Sequence, residues 1–470
     1  MHGHDQQVEF PLDEPLSLPQ ELTDHRFGDR TLFIAPEKAS WLTVTRTGAD
    51  LLACLRRGKT LRASLEETVA SGRASYPEAV LELQSLLRQI TLKEFYQDYT
   101  FADPGAADLN LHLHLTQQCN LRCRHCYMDS GVSSSGELDL AAWQGVVDQF
   151  AKLGGTSITY SGGEPLLFPQ FHALAAHGQE QGLRTDLITN GMLIRSRADA
   201  AAVAAVVDMV RISVDGATAE GHERIRGKGT FPRVNRALEM LAEEDVRLEV
   251  AVTLFPNNVE DVVTNVESYL TSLLERGVRP AKVAFSRGME EGRATGSLDV
   301  LDFEVIYRDI KRRLDGELWD LEHPRPPLKF ADCGYGDSLT LSATGEVYPC
   351  GLLYRSGGNV RREPLGVIYD RFRKEQKQLT VDRLPVCREC DVRYICGGGC
   401  RLRNLKVNGN LGRTACSAAW REEYYRLLMG RDEVFLRLGQ RALEQRSIDR
   451  MEKSRNEQRK ELRNDREAAA

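Results

Sequence analysis

The chain has no long apolar run. None of its 470 residues falls in an uncharged apolar window of the roughly 20 residues that a membrane-spanning helix needs. The N-terminus, Met1 to Asp5, lacks the apolar stretch of an export signal. It also lacks an excess of positive charge. Lys and Arg number 62 against 68 Asp and Glu, a formal net charge of −6, so nothing invites a nucleic-acid backbone. No nucleic-acid or membrane partner is expected. Nor is there an even cysteine count. Eleven cysteines are present, and all but Cys54 fall after residue 118, in two groups. In a chain without an export signal this pattern favours metal ligation over disulfides, and a reducing cytoplasm low in oxygen. What remains is 41% hydrophobic and 28% charged residues, a soluble globular composition long enough for two to four domains.

The first cysteine group is Cys119, Cys123 and Cys126, a C-x3-C-x2-C run directly after the alternating apolar residues Leu111, Leu113 and Leu115. Thiolates at this spacing on one tight loop can hold three irons of a cube, which normally takes four thiolates. The next cysteine is Cys333, so one iron would be left open for a ligand that is not protein. A disulfide reading wants an even count. A zinc reading wants a fourth ligand, which His112, His114 or His125 could supply.

From about residue 106 the pattern alternates strand and helix. Strands are expected at 109–115, 157–160, 185–189, 210–214, 248–255 and 282–286. Helices are expected at 139–153, 167–181, 197–207, 231–243, 259–275 and 302–314. Six such units with right-handed crossovers predict an α/β fold, a partial (β/α)6 TIM-like barrel with its active residues at the strand C-termini. The cysteine loop, Gly162-Gly163-Glu164-Pro165, Asn190-Gly191 and Ser213 to Gly216 all fall at such ends.

Cys119, Cys123 and Cys126 resemble the signature of the radical S-adenosylmethionine (SAM) enzymes, and Gly162 to Pro165 matches that family's GGEP-type motif. The resemblance implies a [4Fe–4S] cluster whose open iron chelates SAM. One electron then breaks a C–S bond and yields a 5′-deoxyadenosyl radical. It also implies an electron donor of the flavodoxin or ferredoxin type. Gly162 and Gly163 would let backbone carbonyls approach the methionine ammonium, with the Glu164 carboxylate nearby. Asn190 and Ser213 are candidates for the ribose hydroxyls, and Arg226 for the methionine carboxylate. His125 stands where the family often has an aromatic whose backbone meets the adenine. Leu254 is placed to pack on the adenine or in the core.

Residues 1–105 read as a small α+β, winged-helix-like domain. It begins with a loose polar arm over 1–20, then strands at 25–27, 31–34 and 41–45. Helices follow at 47–55, at 61–69 with Thr60 as cap, and at 76–96 with the stripe Leu83, Leu86, Leu87, Ile90. Cys54 reads as plain core. The domain resembles the PqqD-like peptide-recognition domain of pyrroloquinoline-quinone biosynthesis. That implies a partner, the leader of a ribosomal precursor peptide, adding a strand to an exposed sheet edge beside the third helix.

After about residue 326 the rhythm stops and seven cysteines follow: Cys333, Cys350, Cys387, Cys390, Cys396, Cys400 and Cys416. The pattern resembles the cysteine-rich SPASM extension of radical SAM enzymes, which implies two auxiliary [4Fe–4S] clusters and so three in all. Cys387, Cys390, Cys396 and Cys416 would ligate the outer one. Cys333, Cys350 and Cys400 would hold the inner one, leaving an iron open or held by Asp332 or water. Two zinc sites are the alternative. The run Gly397 to Gly399 reads as a tight bend. Residues 421–470 read as a charged helix or tail, with Phe435, Leu436, Leu438 and Leu443 able to dock one helix. His2, His4, His172, His177 and His222 read as surface.

Boundaries at 1–105, 106–325, 326–420 and 421–470 follow. The expected activity is radical formation of a crosslink in a precursor peptide, a thioether first, a carbon–carbon or carbon–oxygen bond otherwise. A dehydrogenase resembling the anaerobic sulfatase-maturing enzymes is one alternative. In those an aspartate directly follows the cysteine at the Cys350 position, where this chain has Gly351. A non-catalytic iron–sulfur peptide-binding or electron-relay protein is another. Catalytic acid–base residues are not identified.

Overall fold

The computed structural model describes residues 12–97, 109–298, 300–314 and 329–430. Contacts divide the chain into two compact units, the first holding residues 12–97 and 421–430 among those described.

In the first unit, β1 (Thr23–Phe27), β2 (Arg30–Ala35) and β3 (Ser40–Thr45) form an antiparallel sheet in the order β1-β2-β3. Helices α1 (Arg46–Arg56), α2 (Leu61–Ala70) and α3 (Tyr76–Leu92) follow. Thr45 and Thr60 start α1 and α2 as caps, each hydroxyl accepting from a backbone N–H at 3.2 Å. The expected stripe on α3 packs inward, with Leu83, Leu86 and Ile90 buried against Leu42, Val44, Leu51 and Leu52. Where a loose arm is expected, residues 12–20 are pinned: Arg62 N donates to Leu12 O, Gln97 N to Ser17 O, and Leu18 is buried in the core. Residues 421–430 are helical, and the Tyr425 ring stacks on His25 at 3.9 Å. The expectations for residues 1–11, with His2 and His4, and for 431–470 lie outside the described residues.

In the second unit β4 (Asn110–His114), α4 (Leu140–Lys152), β5 (Ser157–Ser161), α5 (Phe171–Glu180), β6 (Arg184–Thr189), α6 (Arg197–Ala204) and β7 (Met209–Ser213) alternate. Then come α7 (Ala219–Arg226), α8 (Thr230–Leu241), β8 (Arg247–Leu254), α9 (Val259–Glu275), β9 (Lys282–Arg287) and α10 (Val300–Arg313). Strands β4 to β9 are parallel and lie in sequence order. The sheet does not end at six strands. β10 (Ser338–Leu341) joins β4 in parallel, and β11 (Glu346–Tyr348) and β12 (Gly358–Asn359) add antiparallel strands, giving nine in an open sheet. Three more helices follow in the second unit: α11 (Leu365–Gln376), α12 (Arg393–Cys396) and α13 (Arg401–Asn408).

Period-2 alternation gives this sheet two different faces. One carries Leu111, Leu113, Ile158, Tyr160, Leu187, Val210, Ile212, Val250 and Val252, buried with Trp143, Phe150, Leu174, Leu238 and Leu270 of the helices. The other carries His112, His114, Thr159, Asp186, Arg211, Glu249 and Thr340. The strand ends at the top of this polar face position the site.

Candidate functional site

The cysteine loop leaves the end of β4 and is fastened from both sides. Glu137 accepts from Thr116 Oγ1, Gln117 N and Ser134 N, each at 2.8 Å. Cys119 N donates to Gly131 O at 3.1 Å, and Gly131 N returns a bond to Gln117 O at 3.0 Å. Arg293 donates to Cys123 O at 3.0 Å, Ser130 O at 2.8 Å and Asp129 at 2.6 Å. Two thiols receive backbone amides, Cys119 from Leu121 N and Cys126 from Ser130 N, each at 3.4 Å. Such bonds stabilise sulfur once it carries charge.

The strand-end glycines lie directly under this loop. Gly163 N donates to Thr116 O at 2.7 Å and Glu164 N to Gln118 O at 2.8 Å. A Cβ on Gly163 would stand 2.1 Å from Gln118 O, and Gly162 has φ +125, so no larger residue fits either place. Their role is therefore to bring β5 against the cysteine loop. Glu164 is fully buried and accepts from Thr189 Oγ1 at 2.7 Å, Asn190 N at 2.9 Å and Leu166 N at 3.2 Å. Burial raises its pKa, and these donors offset part of that. Its oxygens accept from these donors of the chain itself.

The other rim residues also meet protein partners. Asn190 Nδ2 donates to Asn120 Oδ1 at 2.8 Å and lies 3.9 Å from Cys119 Sγ. Arg226, expected to hold a ligand carboxylate, donates from Nε to Asp215 at 2.5 Å. His125 Nε2 donates to the same carboxylate at 2.5 Å, so its side chain faces Asp215. Thr253 N supplies a third donor at 2.9 Å. Burial is the largest influence on Asp215 and would raise its pKa. The Arg226 charge and His125 outweigh it, and the carboxyl is held well below the usual range. The Arg226 charge also reaches Cys123 and Cys119. Ser213 ends β7 half-buried. Leu254 is fully buried in the core, on the apolar face of β8, one of the two places the sequence allows it. His222 is buried on α7, not on the surface, with its pKa lowered to about 4 by burial and then by Arg226.

Sequence reasoning missed Asp215, Glu137 and Arg293 as site residues. The Ser213 to Gly216 rim pointed at Asp215. Nothing in the chain pointed at Glu137 or Arg293, whose partners are distant in sequence or backbone atoms.

The seven later cysteines interact in two sets. Cys387 feels the charges of Cys396, Cys390 and Cys416, while Cys333 and Cys350 each feel that of Cys400. Burial first, then the neighbouring cysteines, pushes Cys387 to about 12 and Cys396 to about 11. Gly397, Gly398 and Gly399 all have φ near +70, the expected bend. Inside it the Arg401 guanidinium, 1% exposed, donates to the carbonyls of Gly397, Gly398, Gly399 and Leu379. Its charge lowers the pKa of Cys333 and of Cys387. A buried cation bonded only to carbonyls among the described residues suits an anionic neighbour. Asp332 accepts from Gly334 N at 2.6 Å. Cys54 lies in the first unit, where Arg57 donates to it at 3.2 Å.

Among the described residues, no three His, Cys, Asp or Glu side chains converge as the ligands of one ion would.

A model of the radical SAM superfamily matches residues 113–268, which span β4 to α9. The chain is 32% identical over 339 residues to the Fe-coproporphyrin III synthase of Methanosarcina barkeri, covering 63% of this chain and 84% of that one. It is 30% identical over 256 residues to the mycofactocin maturase MftC of Mycobacterium ulcerans, covering 52% and 68%. Its fold resembles Streptococcus suis SuiB bound to the precursor peptide SuiA. The TM-score is 0.53 at 13% identity, over 85% of this chain and 99% of that one. The matched segment, the three-cysteine loop and the glycine contact beneath it agree, and the chain belongs to the radical SAM superfamily.

Proposed function

We propose that the chain is a radical SAM maturase that installs a crosslink, first of all a thioether, in a ribosomal precursor peptide. The observation that carries the enzyme assignment is the Cys119–Cys126 loop, locked onto Gly163 with no further cysteine before Cys333. These three cysteines would hold a [4Fe–4S] cluster with one open iron. Bound SAM would supply a 5′-deoxyadenosyl radical that takes a hydrogen atom from the substrate. The protein's own part is to hold and shield the site. Glu164 and Asn190 fix the rim beside Cys119. Arg226 sets a positive charge near Cys123 and is itself balanced by Asp215.

The two later cysteine sets would hold auxiliary clusters, the outer on Cys387, Cys390, Cys396 and Cys416, the inner on Cys333, Cys350 and Cys400. Arg401 supports this reading, because its buried charge meets cysteines of both sets. The inner set has three thiolates, which leaves a coordination place for a substrate sulfur. Residues 1–105 would bind the leader, 106–325 carry the radical core, and 326–420 the auxiliary clusters. A flavodoxin or ferredoxin would deliver electrons in a reducing cytoplasm. No helix among the described residues is long and apolar enough to cross a membrane.

A second reading comes from the Fe-coproporphyrin III synthase relative, namely action on a tetrapyrrole. One experiment separates the two. The full chain, reconstituted with iron and sulfide under anaerobic conditions, is given SAM and reductant. One arm receives the short peptide encoded beside its gene, the other Fe-coproporphyrin III. The maturase reading expects the peptide to lose two hydrogens per bond formed. Conversion of the porphyrin with an unchanged peptide would replace it.

A further inference from the structure

Cys396 and Cys400 fall in different cysteine sets, yet only Gly397, Gly398 and Gly399 stand between them. The three glycines have φ of +66, +75 and +70, a run of left-handed residues that side chains would resist. A Cβ on Gly397 would stand 2.5 Å from Asp332 O, so the bend lies directly against the residue before Cys333. Cysteines of both sets therefore meet at this one bend.

The bend closes around Arg401, which opens α13. Nη1 donates to Gly398 O at 2.8 Å and to Gly399 O at 2.7 Å. Nη2 donates to Leu379 O at 2.6 Å and to Gly397 O at 3.2 Å. Both terminal nitrogens are thus occupied by carbonyls in a planar fork that lysine cannot copy. The side chain is 1% exposed, and among the described residues no carboxylate pairs with it. Carbonyls satisfy its hydrogen bonds but do not neutralise its charge, and a buried charge without a counter-ion is costly. Sulfur supplies the counter-ion. The Arg401 charge favours the thiolate at Cys333 and at Cys387, one from each set. Backbone N–H groups act in the same sense, those of Gly398 and Gly399 on Cys396 and that of Arg401 on Cys333.

We propose that Arg401 is the shared counter-charge of the two later cysteine sites, a positioning residue that shapes the bend between Cys396 and Cys400 and makes the clusters on both sides easier to reduce. The assignment rests on the auxiliary-cluster reading above. A cluster gains negative charge when it takes up an electron, and a fixed cation beside it stabilises that form. The effect matters for the proposed crosslink. Joining a carbon radical to a thiol releases one proton, to solvent, and one electron, which an oxidised cluster accepts. A higher potential makes that acceptance more favourable.

The test uses the full chain with Cys119, Cys123 and Cys126 replaced by alanine, so that iron is bound only at the later sites. Arg401→Gln and Arg401→Lys are made in this background and reconstituted anaerobically with iron and sulfide. Each is titrated with dithionite and followed by electron paramagnetic resonance. Loss of the charge in Arg401→Gln lowers the reduced-to-oxidised ratio at a fixed potential about tenfold, which is about 59 mV for a one-electron couple. Arg401→Lys, which keeps the charge, recovers most of that ratio. An unchanged ratio in an iron-loaded Arg401→Gln would overturn the counter-charge and leave the clusters in place. If Arg401→Gln takes up no iron, the thermal midpoint of the iron-free chain decides. There the cation has no cluster to balance, so a midpoint near that of the background supports the proposal. A fall of several degrees would show a purely structural role and overturn it. A background chain that binds no iron would instead reject the auxiliary clusters themselves, and this role with them.

Discussion

Asp215 takes hydrogen bonds from the cysteine loop through His125, from the end of α7 through Arg226, and from β8 through Thr253. Its replacement by Asn would leave the Arg226 guanidinium buried beside a neutral amide. Breaking a buried pair in this way costs about 3–5 kcal/mol. The expected result for Asp215→Asn at pH 7 is a clear fall in denaturant midpoint. The pH dependence has a definite sign. The folded pKa of Asp215 is depressed, so its contribution is present above the ordinary aspartate value of about 3.9 and is lost as pH falls through the folded value. Wild type therefore loses stability faster than the variant below about pH 4, and a midpoint series at falling pH reads this directly. Parallel curves would deny the pair its charge. Cysteine reactivity gives a second check at this scale. In iron-free protein Cys119 is pushed to about 11, by burial first and then by the Glu164 charge, against a bond from Leu121 N. Cys396 and Cys387 stand near 11 and 12. Because only thiolates react, iodoacetamide should label Cys119 and Cys396 on the order of 100-fold, and Cys387 on the order of 1,000-fold, more slowly at pH 8 than an ordinary thiol, with rates still rising at pH 10. Mass spectrometry of labelled peptides measures it.

At the scale of elements, the cysteine loop and the end of β5 act as one piece. Gly163→Ala puts a methyl group onto Gln118 O, so the loop must shift. The expected outcome is loss of most iron from the Cys119–Cys126 site with retention at the later cysteines, read by iron analysis against a Cys-free loop variant. In the first unit the β3 edge is closed by α3. Gln89 Nε2 donates to Thr43 O at 2.9 Å and Gln89 Oε1 accepts from Thr43 N at 3.0 Å, both buried. Lys93 Nζ donates to Trp41 O at 2.8 Å. A leader strand added at β3 must displace these groups. Gln89→Leu removes both bonds to Thr43, at about 1–3 kcal/mol for each buried group left unpaired, measured as a lower midpoint. Most elements were readable in the chain because their patterns repeat. The strands β4 to β9 alternate at period 2 or run apolar, and α3 keeps its stripe. β10, β11 and β12 were not readable. They span only 4, 3 and 2 residues, too few for any period to show, and the pairing of β10 with β4 joins segments over 200 residues apart.

At the scale of the whole chain, the thiolates were legible and their partners were not. A cysteine pattern is local, and the eight residues from Cys119 to Cys126 suffice to suggest a cluster. The protein partners of Arg226, His125 and Glu164 lie in other parts of the chain, at Asp215 and at Thr189 and Asn190, and no local pattern in the sequence joins them. The same limit applies to the C-terminal segment. Its charge pattern looked independent, yet residues 421–430 group with the first unit, where Tyr425 meets His25. The central claim is that Cys119, Cys123 and Cys126 alone make the SAM-cleaving site. It is tested most directly by replacing all three with alanine in the full chain. The variant is reconstituted anaerobically beside wild type, and 5′-deoxyadenosine is measured with SAM and a strong reductant. The account predicts none from the variant, while iron bound by Cys333, Cys350, Cys387, Cys390, Cys396, Cys400 and Cys416 remains. Continued 5′-deoxyadenosine formation by the triple variant would contradict it.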